Sequence, residues 1–296
     1  MHSRRPHLFA LSALLLAPVA LSAGSILLSA DAFTVLAGSA VTSTGAAGTV
    51  ISNGDVGLSP TATSAITGFP PAVIVNGTVI ATGAVTTQAR ADLITAATAL
   101  KAMTPDTDLT GLDLGGMTLS SGVYNFDTAA GLTGALILDA QGQNNAFWVF
   151  QIGTSLSASV NSTVTFINVG SNGGADLGLF WNAGTEITVG ADSDIAGNYI
   201  SGTSITLGTG TSGGSRALAL ASVSLDQNQL DAFGGPGGGD LTGGLAYDLG
   251  GAIVAIPEPA ALLWLAPLCA LGFAAFRRAP RRAGAVSGSG GSRGSR

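Results

Sequence analysis

The sequence predicts a mainly β domain, wound as a solenoid and carrying one long α-helix. Three observations lead there. Ile187-Thr188-Val189-Gly190 returns 18 residues later as Ile205-Thr206-Leu207-Gly208, and after another 18 as Val223-Ser224-Leu225-Asp226. That period suits a coil of three short strands and three tight turns, which stacks equivalent residues at strand spacing, roughly 4.8 Å. Elsewhere short apolar runs are broken by Gly, Asn, Ser and Asp, and only one stretch shows helical spacing.

The chain opens on Arg4-Arg5, an apolar run from Leu8 to Leu21 and small residues at Ser22-Ala23-Gly24. This order describes a secretory signal peptide over residues 1–25, with cleavage expected between Ser22 and Ala30. The folded domain is expected over 26–250. From Thr86 to Met103 apolar residues fall at Ala89, Leu93, Ala96, Ala97, Leu100 and Met103, giving an amphipathic helix that Thr86 or Thr87 would cap and Pro105 would close. Strands are expected at Leu132–Leu138, Phe147–Ile152, Thr163–Val169 and Leu177–Trp181, with Phe147–Phe150 and Phe180-Trp181 in the core. In the repeat, Ile187, Ile205 and Val223 form one interior ladder and Val189, Leu207 and Leu225 another. The earlier strands do not keep the period, so the solenoid is irregular there, and an ordinary β-sandwich stands as the alternative on these patterns alone.

The C-terminus reads as a second message. Pro257-Glu258-Pro259 precedes an apolar segment, 260–276, that Ile253–Ile256 could extend, and Arg277-Arg278 and Arg281-Arg282 follow. This is the minimum length for a membrane span with its arginine side held in the cytoplasm. The signal is placed at 257–282, with a Gly/Ser tail at 283–296 that cannot build a core.

Composition excludes several functions. Of 17 acidic residues only Glu258 lies outside 31–256, and of 11 basic ones only Arg90, Lys101 and Arg216 lie inside, so the domain carries sixteen negative charges against three positive, a net −13. Nucleic-acid binding needs clustered Lys and Arg, and is excluded. Both histidines, His2 and His7, and the one cysteine, Cys269, lie in the terminal segments. The domain therefore has no His- or Cys-based nucleophile or zinc site and no disulfide. Asp106, Asp108 and Asp113 lack the pattern of a calcium loop and read as a solvated connection. Gly234–Gly244 reads as a flexible loop. Asp192 and Asp194 are spaced like a carboxylate pair, but three basic residues are too few for a sugar-cleaving groove. No catalytic residue, metal or cofactor is assigned.

What remains is surface. Following the ladders around each corner gives Ala191-Asp192-Ser193-Asp194, Thr209-Gly210-Thr211-Ser212 and Gln227-Asn228-Gln229-Leu230. Ser159-Val160-Asn161-Ser162 and Thr42-Ser43-Thr44-Gly45 are similar. These stretches carry short hydroxyl and amide groups where a solvent face is normally rich in long charged residues.

At this point the sequence resembles the microbial ice-binding proteins. The resemblance runs from about Asp31 to Leu230. It is carried by Phe33-Thr34-Val35-Leu36-Ala37-Gly38-Ser39, Gly54-Asp55-Val56-Gly57-Leu58-Ser59-Pro60, Thr67-Gly68-Phe69-Pro70-Pro71 and Leu119-Ser120-Ser121-Gly122-Val123-Tyr124. Phe150-Gln151-Ile152-Gly153, Gly197-Asn198, Ser204-Ile205-Thr206-Leu207 and Gly214-Ser215-Arg216-Ala217-Leu218-Ala219 complete it. It implies an irregular right-handed β-solenoid with the helix packed alongside, and an ice crystal as partner, bound by one flat face. Some members carry a Thr-Ala/Gly-X-Thr/Asn motif on that face. Thr209-Gly210-Thr211-Ser212 comes nearest to it, Thr44-Gly45-Ala46-Ala47 keeps its first half, and Ala191–Asp194 departs from it. The expected ice-binding residues are Thr42, Thr44, Ser159, Asn161, Asp192, Ser193, Thr209, Thr211, Ser212 and Asn228. The C-terminus resembles a PEP-CTERM sorting signal, which implies an exosortase-type processing enzyme and transient membrane attachment of a cell-surface or matrix protein. A structural or adhesive role at that surface is the alternative function.

Overall fold

The 18-residue repeat folds as coils whose short strands pair in parallel with their counterparts one coil away. Ile187 pairs with Ile205 and Ile205 with Val223, in the register the repeat predicts, and all three are fully buried. The computed structural model describes residues 24–257. Most of the expected leader, Glu258-Pro259, the expected span 260–276 and the tail 283–296 lie outside the described residues. Among the described residues no helix is long and apolar enough to cross a membrane.

Three walls enclose the interior. One is a nine-stranded sheet, one a seven-stranded sheet, and the third is divided into two three-stranded sheets. The expected strand Leu132–Leu138 is two strands, Ala130–Leu132 and Ala135–Asp139, because the chain turns a corner at Thr133-Gly134. Phe147–Ile152 is a strand as expected, and Thr163–Ile167 and Gly178–Ala183 lie close to the expected bounds. Trp148, Phe150, Phe180 and Trp181 are fully buried. Tyr124, Phe150 and Trp181 occupy one register position on successive coils, and their rings stack at 5.5 and 4.3 Å between centroids.

The winding is not continuous in sequence. Phe33–Ala37 and Asp55–Leu58 belong to the first coils, which run to one end of the solenoid at Val79–Ala81. The helix α1, Ala84–Ala102, then carries the chain along the nine-stranded sheet toward the opposite end, at Thr107–Asp108. Nineteen residues give a helix of about 28 Å. Nine strands span about 38 Å, and the extended chain after Met103 covers the rest. From there the coils stack back until Ser215–Ala219 pairs with Phe33–Ala37, Val35 opposite Ala217 and Leu36 opposite Leu218. Strands 182 residues apart in sequence thus form a seam.

Helix α1 begins before the threonines expected to cap it. Gly83, with φ of 154°, precedes the first turn, a backbone that suits glycine, and Thr86 is buried within that turn. Ala89, Leu93, Ala96 and Leu100 are fully buried against Phe33, Leu36, Val123, Val149, Phe180 and Leu218. Side chains of the sheet donate to carbonyls of the last helical turns. Gln151 Nε2 donates to the Leu100 and Met103 carbonyls at 2.7 and 2.9 Å, and Asn182 Nδ2 to the Ala97 carbonyl at 2.8 Å.

Three sequence expectations are corrected here. The folded unit extends past residue 250 to Ile256, because Ile253–Ala255 pairs antiparallel with Leu245–Tyr247 and so belongs to the domain, not to an apolar span. Gly234–Gly244 is not a loose loop: Leu241 is buried, and its carbonyl accepts hydrogen bonds from the Leu179 backbone and from Asn198 Nδ2. Asp108 lies in a strand paired with Asn125, and Asp106 Oδ2 accepts from the Val123 backbone at 2.8 Å, so these aspartates, exposed as expected, build the end coil and are not a mere connection. Arg216, one of the three basic residues of the domain, is only 1% exposed.

Arg216 fastens the seam. Its Nη2 lies 3.0 Å from Asp31 Oδ1 and 3.6 Å from Asp240 Oδ2, and its Nη1 donates to the Asn198 Oδ1 and the Asp240 carbonyl at 3.1 and 2.7 Å. One side chain thereby joins the segment entering the first strand, the strand closing the seam and the segment after the last coil. Burial drives the Asp31 carboxyl above its ordinary pKa, against the opposite pull of Arg216. Arg216→Ala is expected to cost about 3 kcal/mol, the low end for breaking a buried pair because both carboxylates keep some exposure. Arg216→Lys should recover less than half, since an ammonium cannot span the same acceptors. Urea unfolding of the three proteins checks both values, and a wild-type midpoint for Arg216→Ala would remove the seam role.

Candidate functional surface

The three walls meet solvent differently. The nine-stranded sheet is covered by α1, by the N-terminal segment around Ile26–Ala30 and by the hairpin Leu245–Ala255. The third wall is interrupted, its halves joined by isolated bridges through Asp194, Ser212 and Gly214, and it mixes Thr, Asp, Ile and Val outside. Among the described residues nothing packs over the seven-stranded sheet.

Its strands alternate strictly. In Ile187–Val189, Ser204–Leu207 and Ser222–Asp226 the apolar residues point inward and the hydroxyl residue between them points out. Pairing aligns those outward residues into one row: Gly131, Ser157, Thr188, Thr206, Ser224, Thr42, Thr67. Six strand spacings make it about 29 Å long. Threonine suits such a position twice over, since β-branching favours a strand and restricts χ1, so methyl and hydroxyl hold one orientation.

The hydroxyls of this row are largely unspent. Among the described residues, Ser157, Thr188, Thr206 and Ser224 make no side-chain hydrogen bond within the protein, and Thr67 shares one with Thr42 at 3.4 Å. The sixteen carboxylates of the domain contribute none to the row. Glu186 stands two residues before Thr188 and Asp226 two after Ser224, both at the margins.

The residues expected from sequence are divided by the fold. Thr42 stands in the row. Thr44, Ser159 and Thr209 lie exposed at its rim, where the Thr44 hydroxyl donates to the Leu225 carbonyl and that of Thr209 to Asp226. Asn161 and Asp192 form the corner itself, with φ of 58° and 54°, and are exposed there. Ser212 lies beyond the corner, bridged to Asp194 on the third wall.

Ser193, Thr211 and Asn228 turn inward and are 1%, 3% and 0% exposed, which corrects their assignment to a contact face. They form a polar ladder inside the corner. Ser193 Oγ donates to the Ser159 carbonyl at 3.0 Å. Asn228 Nδ2 donates to Thr211 Oγ1 at 2.6 Å and to the Gly208 carbonyl at 2.7 Å, while its Oδ1 accepts from the Asp226 backbone. The left-handed corner residue reverses the alternation, so the next side chain returns to the interior and must be hydrogen-bonded there. Thr188, Thr206 and Ser224 were absent from the expected set. Their signal was the apolar-hydroxyl-apolar repeat, whose middle residue is the outward one.

A solenoid presenting a regular, uncharged and solvent-facing hydroxyl row is thus the class of protein that fold and surface define. The chain belongs to the ice-binding-like family, whose model matches residues 35–231. It is 44% identical over 208 residues to an ice-binding protein of Nostoc sp. (strain HG1), covering 70% of this chain and 73% of that one. A crystal structure of an ice-binding protein from the Antarctic ascomycete Antarctomyces psychrotrophicus superposes with a TM-score of 0.63 and 37% identity, covering 70% of this chain and 98% of its own. An ice-binding protein from Arctic yeast, whose structure was solved to explain its antifreeze activity, gives 0.60 and 26%, covering 70% and 94%.

The corner ladder can be tested apart from the surface. Asn228→Ala strips a partner from the buried Thr211 hydroxyl and from the half-buried Gly208 carbonyl and Asp226 amide, and is expected to cost about 2–3 kcal/mol. Thermal unfolding checks it; a melting temperature equal to wild type would mean that Asn228 is not a structural bracket.

Proposed function

We propose that this protein binds ice through the hydroxyl row Ser157, Thr188, Thr206, Ser224, Thr42 and Thr67, with Thr44, Ser159 and Thr209 at its rim. The observation that carries the reading is the run of outward hydroxyls at Ser157, Thr188, Thr206 and Ser224, which have no side-chain partner among the described residues and stand on strands fixed by a packed core. Such groups have their hydrogen bonds free for water. Spaced at a strand repeat close to a repeat of the ice lattice, alternating hydroxyls and methyls hold a layer of water in an ice-like arrangement. Little side-chain entropy is lost on contact, because the threonine rotamers are already restricted. The named relatives, all ice-binding proteins, support the same activity for this chain.

The reading extends to where the protein works. The basic, apolar, small-residue order at the N-terminus supports export, and Pro257-Glu258-Pro259 with the apolar and arginine-rich segments behind it supports sorting by an exosortase-type enzyme at the cell surface.

Thr206→Tyr raises a bulky ring at the centre of the row. Its stability should stay within about 0.5 kcal/mol of wild type, since the position is exposed. Inhibition of ice recrystallisation should fall at least tenfold, whereas Thr165→Tyr on the third wall should leave it unchanged. A Thr206→Tyr protein that shapes ice as well as wild type moves the contact to another wall. A wild-type domain that does not shape ice at all favours the adhesive role.

A further inference from the structure

The segment just after the expected leader is not a spacer. Ile26 and Leu27 are fully buried beside Ala30, in the same cluster as Phe33, Ala89, Leu93 and Leu245. Three further contacts hold the stretch to three different elements. The Tyr247 hydroxyl, on the C-terminal hairpin, donates to the Ile26 carbonyl at 3.0 Å. The Ser29 backbone amide donates to Asp92 Oδ2 on α1 at 3.1 Å, and its hydroxyl donates to the same oxygen. Asp31 meets Arg216 at the seam, 3.0 Å away. Residues 25–31 therefore act as a clasp across helix, hairpin and seam.

This constrains where the leader can be removed. An exporting peptidase reads small residues at the first and third positions before its cut. Ala30-Asp31-Ala32 meets that requirement well, as do Ala20-Leu21-Ser22 and Ser22-Ala23-Gly24. A cut after Ala32 would discard Ile26, Leu27, Ala30 and Asp31, taking three core side chains and the seam carboxylate with them. Gly24, by contrast, is exposed, and a Cβ there would touch nothing within 4 Å.

We propose that the leader is cut by hydrolysis after Ser22 or Gly24, before Ser25, and that the new N-terminal segment is the clasp that completes the fold. Water adds across the peptide bond, leaving a carboxylate on the leader and a free α-amine on the mature chain. The assignment rests on the export reading and deepens it. In the folded domain Ala30 of the downstream motif is fully buried and Asp31 is engaged by Arg216.

The test is the N-terminus of the full chain, made with its own leader in a bacterial host and recovered from the exported fraction. N-terminal peptide mass spectrometry is expected to find Ala23 or Ser25 first. A mature chain beginning at Asp31 or Phe33 leaves export standing and overturns the assignment. A chain found only from Met1 overturns both. In the same full chain, Leu27→Asp should lower the melting temperature of the recovered domain by about 10 °C. An unchanged melting temperature would overturn the clasp.

Discussion

Parallel strands that hydrogen-bond from coil to coil must lie about 4.8 Å apart, and little else in this structure is free once that spacing is set. At the corner leading into the hydroxyl-bearing wall the coils come so close that a Cβ would collide with the neighbouring backbone. One built on Gly38 would lie 2.0 Å from the Leu220 carbonyl oxygen, on Gly153 2.1 Å from that of Asp127, and on Gly202 2.1 Å from that of Gly184. Glycine stands at these corners because of the space, and its sterics keep the stack tight. The same spacing aligns Ile187, Ile205 and Val223 inside and Thr188, Thr206 and Ser224 outside. The regularity of the surface is thus a property of the core, and costs no separate mechanism.

A stack of coils has two open ends and could be extended indefinitely, yet this chain closes on itself midway. The first coils lie against the last, so the molecule has a seam that no local contact can form. Pairing across so long a sequence separation carries a large closure entropy, and is offset only when both parts are already ordered. Helix α1 and Arg216 answer that problem at different ranges. The helix delivers the chain to the opposite end while burying one apolar stripe on the sheet. The guanidinium then ties three chain segments at a single buried point. Domain stability and the flatness of the exposed wall consequently share a dependence on contacts far from that wall.

Hydroxyl groups serve two opposite purposes within a few ångströms. Those of Ser193 and Thr211 are spent inside the corner, where an unpaired polar atom would be costly. Those of Thr188 and Thr206 are withheld from the protein and left to water. Composition does not distinguish them, because both are short polar residues in glycine-rich coils. Their roles follow from which side of the wall each one meets.

The sequence by itself determined the coil, its period, the interior ladders, the single helix and the absence of His and Cys chemistry from the domain. Each depends on spacing along the chain, and a burial pattern of two or three residues is written locally. It also placed the expected contact surface on the repeating coils and the chain in the ice-binding-like family. Only the tertiary structure decided which residues face out. A strand of three residues and a one-residue left-handed corner leave the direction of the following side chain undetermined by periodicity, so Ser193, Thr211 and Asn228 look like surface in sequence and are interior in space. The seam, the clasp of residues 25–31 and the burial of Arg216 were equally illegible. They join segments separated by nearly the whole domain, and such pairings are selected by the packing of the finished solenoid and not by any stretch of chain.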